Sequence, residues 1–106
     1  MTMATSIVEY TVKPENVDVL VRRVREQLLP VARQTQGYRG CMLLDRGEGK
    51  RLAVLLYDSE ADVRAAQQVL MPVGSEHTSA LMAGPLTGSV ATVLLGDGAF
   101  RGPTAS

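Results

Sequence analysis

The sequence has only one cysteine and one histidine, and it has no tryptophan. Because a disulfide needs two thiols, none can form within the chain, which is compatible with a reducing compartment. One histidine and one cysteine are also too few for a zinc or iron site built from several such ligands within one chain, so no metal is predicted. The glycine-rich stretch Gly47-Glu48-Gly49 lies between two predicted strands, so it is not a dinucleotide fingerprint. We therefore predict no cofactor.

Net charge and long apolar runs are also lacking. Eleven Lys plus Arg residues balance eleven Asp plus Glu residues, which removes the attraction that supplies most nonspecific binding to nucleic acids. No apolar run reaches the roughly 20 residues of a membrane span, and residues 1–6 lack the basic start and apolar stretch of a signal peptide. We therefore expect a cytoplasmic protein with no nucleic-acid or membrane partner.

What the sequence does have is an ordinary globular composition, with 45% hydrophobic and 21% charged residues in a chain of 106 residues. A chain of this length buries roughly two-thirds of the surface that it exposes when unfolded, so it can form one domain with a core. We expect this domain to span residues 1–96. The tail at residues 97–106 is rich in small residues and is expected to be flexible.

Runs of β-branched and apolar residues predict four strands, at residues 6–12, 38–46, 51–58 and 88–95. A helix is predicted between the first two strands, and another between the last two. The order strand, helix, strand, strand, helix, strand predicts a ferredoxin-like α+β fold. In that fold both helices pack on one face of a four-stranded antiparallel sheet.

Each predicted helix contains a proline. The first helix has an apolar stripe at three- and four-residue steps, and Pro30 should kink it because proline lacks a backbone N–H. The second helix should begin at a Ser59 cap and should break at Pro72 and Gly74. A separate short helical piece is then expected at residues 75–83.

The predicted sheet is apolar on both faces, although the helices can cover only one. In the third strand both alternating sets of side chains are apolar, namely Leu52, Val54 and Leu56 against Ala53, Leu55 and Tyr57. Because a large apolar sheet face is rarely left in water, a second copy of the chain is its simplest cover. We therefore expect a homodimer.

Three motifs resemble the antibiotic biosynthesis monooxygenase family. They are Gly37-Tyr38-Arg39-Gly40 before the second strand, Leu43-Leu44-Asp45 within it, and residues 55–62, which lead from the third strand into the second helix. The resemblance covers roughly residues 6–95. It implies a dimeric α+β barrel in which two ferredoxin-like sheets face each other, in agreement with a sheet that is apolar on both faces.

At several positions the sequence differs from the residues that are usual in this family. Tyr57 stands where the family usually has a tryptophan at the end of the third strand. Val8 and Ala66 stand where the haem-degrading members have an asparagine and a tryptophan, and only His77 lies near the position of their iron-binding histidine. We therefore expect that haem is not a substrate.

For activity, the resemblance implies cofactor-free oxidation of a small aromatic molecule, such as an electron-rich phenol, anthrone or hydroquinone. This chemistry needs an apolar cavity, a proton acceptor and donors for the developing oxyanion. The alternative is a noncatalytic module that holds a small apolar ligand in the same cavity. The sequence does not separate these two functions.

The chain offers three candidates for the catalytic roles. His77 has an ordinary pKa of about 6.5, which suits proton exchange near neutral pH, and the competing interpretation is an exposed histidine. Tyr57 and Tyr10 could each offer an O–H to a ligand carbonyl or pack in the core. Tyr57 ends a strand beside a loop, whereas Tyr10 lies mid-strand, where core packing is favoured, so Tyr57 should matter more. Arg39 could stabilise an enolate or phenolate, or it could be solvated surface. Cys41 is expected to be a buried, inert thiol.

Overall fold

The computed structural model describes residues 2–100 and residue 102. Its strands are β1 (Ala4–Thr11), β2 (Tyr38–Gly47), β3 (Lys50–Tyr57) and β4 (Thr87–Thr92), and its helices are α1 (Val17–Arg23), α2 (Leu29–Ala32) and α3 (Glu60–Thr78). Short 3-10 turns occupy Pro14–Asn16, Ser79–Leu81 and Gly98–Phe100, and a π turn, Val24–Leu28, joins α1 to α2. Within this part of the chain, no helix is long and apolar enough to cross a membrane.

The four strands form one antiparallel sheet in the order β2-β3-β1-β4. In the central pair, Tyr57 lies opposite Ala4, and Ala53 lies opposite Val8. Because side chains alternate along a strand, these four side chains share one face of the sheet. The helices pack on this face, and the predicted ferredoxin-like α+β fold is confirmed.

The link between β2 and β3 is a tight hairpin. Glu48 and Gly49 have φ values of 57° and 78°, and Gly47 before them has a φ of 86°. Positive φ at both central residues matches the twist of the flanking strands, which is why glycine is favoured in such turns. The hairpin predicted from the glycines of this link is therefore present.

The helical segment between β1 and β2 is irregular one turn before Pro30. The Leu29 N–H donates to the Val24 carbonyl, five residues back rather than four. Pro30 then lies within α2, near its first turn, where a missing N–H is tolerated. The proline that we expected to kink the helix is thus accommodated by a π turn, and the helical path continues to Ala32.

Helix α3 runs without interruption through Pro72 and Gly74, so the predicted break at these residues is wrong. Pro72 removes only one backbone hydrogen bond, and two side-chain hydrogen bonds to backbone carbonyls support the turns that follow, one within α3 and one from α1. The Thr78 hydroxyl donates to the Gly74 carbonyl at 2.6 Å, and the Arg23 guanidinium donates to the His77 carbonyl at 2.9 Å. Residues 75–78 therefore belong to α3 and do not form a separate piece.

The start of α3 is fixed by its cap and by a neighbouring glycine. The Ser59 hydroxyl accepts a hydrogen bond from the Asp62 N–H at 3.2 Å, which confirms the predicted cap. Gly37 lies against this first turn with a φ of 79°, and its carbonyl accepts from the Asp58 N–H at 2.9 Å. A Cβ at Gly37 would overlap the Asp62 carboxylate.

Two glycine substitutions are expected to change stability in opposite directions. Gly37→Ala should lower the free energy of unfolding by about 1–2 kcal/mol, since alanine disfavours a left-handed backbone and would displace Asp62. Gly74→Ala should raise it by about 0.5–1 kcal/mol, because alanine favours a helix interior and its Cβ would lie 3.6 Å from Leu28 Cδ2, an ordinary contact. Urea unfolding of both variants measures the two changes. If the free energy of unfolding changed in the same direction in both variants, the backbone conformations assigned to Gly37 and Gly74 would be wrong.

The C-terminal strand is shorter than predicted. It ends at Thr92 rather than Leu95, and the Leu94 and Leu95 side chains are 76% and 85% exposed. One more backbone bond, from Val93 N–H to the Met3 carbonyl at 2.8 Å, follows the strand. Of the tail that we expected to be flexible, residues 101 and 103–106 lie outside the described residues, and flexibility of the tail stays a prediction.

The sheet face away from the helices is also apolar, as the alternation predicted. We call it the open face, and it carries Ile7, Met42, Leu44, Leu52 and Val54. Met42 and Leu44 are 38% and 39% exposed. At the rim of this face, Arg46 pairs with Glu9 at 3.6 Å, and both side chains are more than half exposed.

Candidate active site

A cavity of about 910 Å³ separates the sheet from the helices. Aliphatic side chains from every strand and from the helices form most of its wall, including Val8, Leu43, Ala53, Val90, Leu20 and Leu70. Members of two separate core clusters, one around Tyr57 and one around Tyr10, also line it. A volume of this size accommodates a small multi-ring molecule.

The ionisable side chains that line the cavity are Tyr10, Cys41, Tyr57 and Arg64; among the residues described, no Asp, Glu, His or Lys lines it. Burial is the main cause that raises the pKa of Tyr10, of Cys41 and of Tyr57. Each therefore keeps its proton at neutral pH. Arg64 pairs with Glu60 at 2.7 Å on the exposed side of α3. The described residues of the cavity wall thus offer hydrogen-bonding groups but no base suited to neutral pH.

Tyr57 lies at the end of β3 with 1% of its surface exposed, and it lines the cavity. Its hydroxyl oxygen lies 2.8 Å from Thr35 Oγ1, which in turn donates to the Ala32 carbonyl at 2.5 Å. The hydrogen bond with Thr35 partly offsets the effect of burial on the pKa of Tyr57. The Tyr38 ring contacts the Tyr57 ring edge-on, with centroids 5.8 Å apart. Tyr57 is thus held in place on two sides.

The other two predicted site residues lie elsewhere. His77 is in the last turn of α3 and is not among the cavity-lining residues; its Nε2 lies 4.0 Å from Glu76 Oε2. Arg39, at the start of β2, forms an ion pair with Asp58 and also lies outside the cavity wall. Of the three candidates, the structure places only Tyr57 at the cavity and does not bring the three together.

Solved structures with the same architecture are known, although no protein-family model matches the chain and a search of curated proteins finds no match. A Nitrosomonas europaea protein named as an antibiotic biosynthesis monooxygenase is 18% identical, with 92% of this chain and 95% of that chain covered and a TM-score of 0.75. A Streptomyces coelicolor monooxygenase solved with the ligand nanaomycin D is 18% identical, with coverages of 86% and 87% and a TM-score of 0.70. The fold is that of the antibiotic biosynthesis monooxygenases.

A third comparison comes from the same fold. SnoaB of Streptomyces nogalater, a cofactor-independent oxygenase, is 15% identical, with 88% of this chain and 94% of that chain covered and a TM-score of 0.65. At these identities the likeness concerns the fold.

Among the described residues of our chain, no group of three or more His, Cys, Asp or Glu side chains could hold a metal ion.

Within this fold, the sequence reasoning ranked Tyr10 too low and missed one polar pair of the cavity wall. Core packing was favoured for Tyr10 over a contact with a ligand, and the residue packs in the core but also lines the cavity. Gln67 Nε2 donates to Ser6 Oγ at 3.2 Å, and both residues line the cavity. Strand alternation predicts that the Ser6 and Tyr10 side chains lie on the same face of β1 as Val8, which is the face that borders the cavity. Nothing in the sequence indicated that Gln67 reaches Ser6.

Proposed function

We propose that the protein oxidises a small polycyclic aromatic substrate with molecular oxygen, without a cofactor, in the cavity between sheet and helices. The observation that carries this proposal is the cavity itself, with about 910 Å³ of mainly aliphatic surface and the phenols of Tyr10 and Tyr57 in its wall. Two proteins of the same fold support it, one solved with nanaomycin D and one named a cofactor-independent oxygenase.

The substrate would supply all the electrons for this reaction. In an anthrone, the ring CH₂ group becomes C=O, one atom of O₂ enters the product, and the other leaves as water with the two hydrogens. This is a four-electron oxidation that reduces one O₂, so atoms and electrons balance without a redox cofactor. The substrate anion, formed by loss of one proton, is the species that reacts with oxygen.

Proton loss is the step for which the described lining residues offer no general base. Because no Asp, Glu, His or Lys of the described residues lines the cavity, we assign no general base and no step to His77 or Arg39. The substrate should therefore be a weak acid, such as an anthrone or a dihydroxynaphthalene, of which a small fraction is ionised in neutral water and can bind as the anion. The protein would contribute by holding the anion, supplying hydrogen-bond donors and excluding bulk water.

We further propose that the chain forms a homodimer through its open face. The apolar side chains of this face are only partly covered, and the exposed Arg46–Glu9 pair stands at its rim. An apolar centre with a polar rim is the usual anatomy of a protein interface. A second copy is the occupant that makes two such faces cover each other, as in the dimeric barrel that the family resemblance implies.

A noncatalytic binding module is the second candidate, and the lack of a base among the described lining residues favours it.

Oxygen uptake separates the two functions. Protein would be mixed with an anthrone or a dihydroxynaphthalene in metal-free buffer under ¹⁸O₂, with boiled protein as the control. We expect uptake above the spontaneous rate and one labelled oxygen atom in the anthrone product. Because His77 lies outside the cavity wall, His77→Ala should keep the rate within severalfold. Uptake equal to the boiled control for several substrates would favour the binding module.

A further inference from the structure

The hydroxyls of Tyr57 and Tyr10, two residues that line the cavity, differ in whether they donate a hydrogen bond within the protein. Thr35 has one hydroxyl proton, and it is donated to the Ala32 carbonyl. Either oxygen can donate in the 2.8 Å bond between Thr35 Oγ1 and the Tyr57 hydroxyl, and while the Thr35 proton is on the Ala32 carbonyl this bond is made by the Tyr57 proton. Towards a ligand, the Tyr57 hydroxyl can then only accept a hydrogen bond. It is not available to donate to a developing oxyanion while this arrangement lasts.

The Tyr10 hydroxyl, in contrast, has no hydrogen-bond partner among the described residues. No buried side-chain oxygen or nitrogen of these residues lacks a partner. The Tyr10 oxygen is thus not sealed in the core, although the residue as a whole is only 8% exposed. Tyr10 lines the large cavity and also a smaller one of about 150 Å³ that Arg51 borders. Among the described residues, the Tyr10 hydroxyl proton has no acceptor.

The Tyr10 ring is held firmly by its neighbours. It packs in a core cluster with Val12, Leu20 and Leu81, which restricts the movement of the side chain. A donor that is already oriented stabilises a developing charge without the cost of reorganising during the reaction. Burial raises the pKa of Tyr10 despite the nearby Arg51 charge, so the proton remains in place at neutral pH.

We propose that Tyr10 donates the hydrogen bond that holds the carbonyl or phenolate oxygen of a planar aromatic ligand in the cavity. This inference rests on the proposed function for the identity of the ligand class. It assigns the oxyanion-binding role to the mid-strand tyrosine rather than to Tyr57. Ser6 is the competing donor, since its hydroxyl accepts from Gln67 and its own proton has no acceptor among the described residues.

Binding of 9-fluorenone and of fluorene tests this assignment. The two molecules have the same three rings, but only fluorenone has a carbonyl. Fluorenone is not oxidised, so its binding does not depend on whether the protein is an oxygenase. Tyr10→Phe should weaken fluorenone binding about five- to tenfold and leave fluorene binding within twofold. Because the Tyr10 hydroxyl has no partner in the described residues, the variant should fold like the wild type.

The infrared C=O stretch of bound fluorenone gives a second, direct readout. It should be shifted to lower frequency by the wild type, by Tyr57→Phe and by Ser6→Ala, and the shift should vanish in Tyr10→Phe. The proposal is overturned if Tyr10→Phe keeps both the affinity and the shift, if Ser6→Ala or Tyr57→Phe removes the shift instead, or if the wild type binds neither probe. A failure of oxygen uptake alone would overturn the proposed function and leave the Tyr10 assignment standing.

Discussion

Replacing Ala53 with phenylalanine is expected to lower the rate of substrate oxidation by about a hundredfold or more, because a displaced substrate loses its reactive geometry. Ala53 lies near the middle of β3, with Val8 opposite on one neighbouring strand and Leu43 opposite on the other. All three side chains line the cavity. A benzyl group at this position would therefore occupy the volume that the aromatic substrate needs. Phenylalanine is favoured in strands, so the sheet should tolerate it.

Two variants control for this result. Ala53→Val adds only two methyl groups to the same place and should lower the rate severalfold. Ala65→Phe makes the same substitution on the exposed side of α3, outside the cavity wall, and should leave the rate unchanged. Oxygen uptake and thermal unfolding would be measured for all three variants. Normal uptake by a folded Ala53→Phe protein would mean that the reaction does not take place in this cavity.

The sheet could be predicted from the sequence because strand alternation is a local property. The alternating apolar residues of β3 correctly placed Ala53 and Tyr57 on one face and Val54 on the other. The break in α3 was predicted wrongly for a related reason. The low helix propensity of Pro72 and Gly74 is local, whereas the bond from Arg23 that supports the last turn crosses 54 residues of sequence.

The candidate site was harder to predict, because it depends on contacts between distant segments. Tyr57 was favoured over Tyr10 from its position at a strand end, but the cavity extends along β1 far enough to include both. Which of the two hydroxyls can donate depends on Thr35, which lies 22 residues from Tyr57 in sequence. No spacing pattern in the chain reveals such a contact. His77 was a candidate for its chemistry and for its position after the predicted break at Pro72 and Gly74, but α3 continues through these residues.

Replacing Val54 with aspartate is expected to convert the proposed homodimer to a monomer. Val54 lies at the centre of the open face, opposite Ile7 on β1 and Met42 on β2. In the dimer, two copies of the new carboxylate would be buried among apolar side chains without a cation to pair with. Burying unpaired charges costs several kcal/mol, enough to dissociate an interface of ordinary strength.

Light scattering at micromolar concentration measures this change directly. The wild type should have twice the chain mass of 11.4 kDa, and Val54→Asp should have the mass of one chain. Ala65→Asp introduces the same charge on the exposed side of α3 and should remain a dimer. The Tm of the wild type should rise with protein concentration, since association stabilises the folded chain by mass action, and this dependence should vanish in Val54→Asp. A wild-type protein that is a folded monomer at these concentrations would refute the dimer, and with it the argument that the open face needs a second copy.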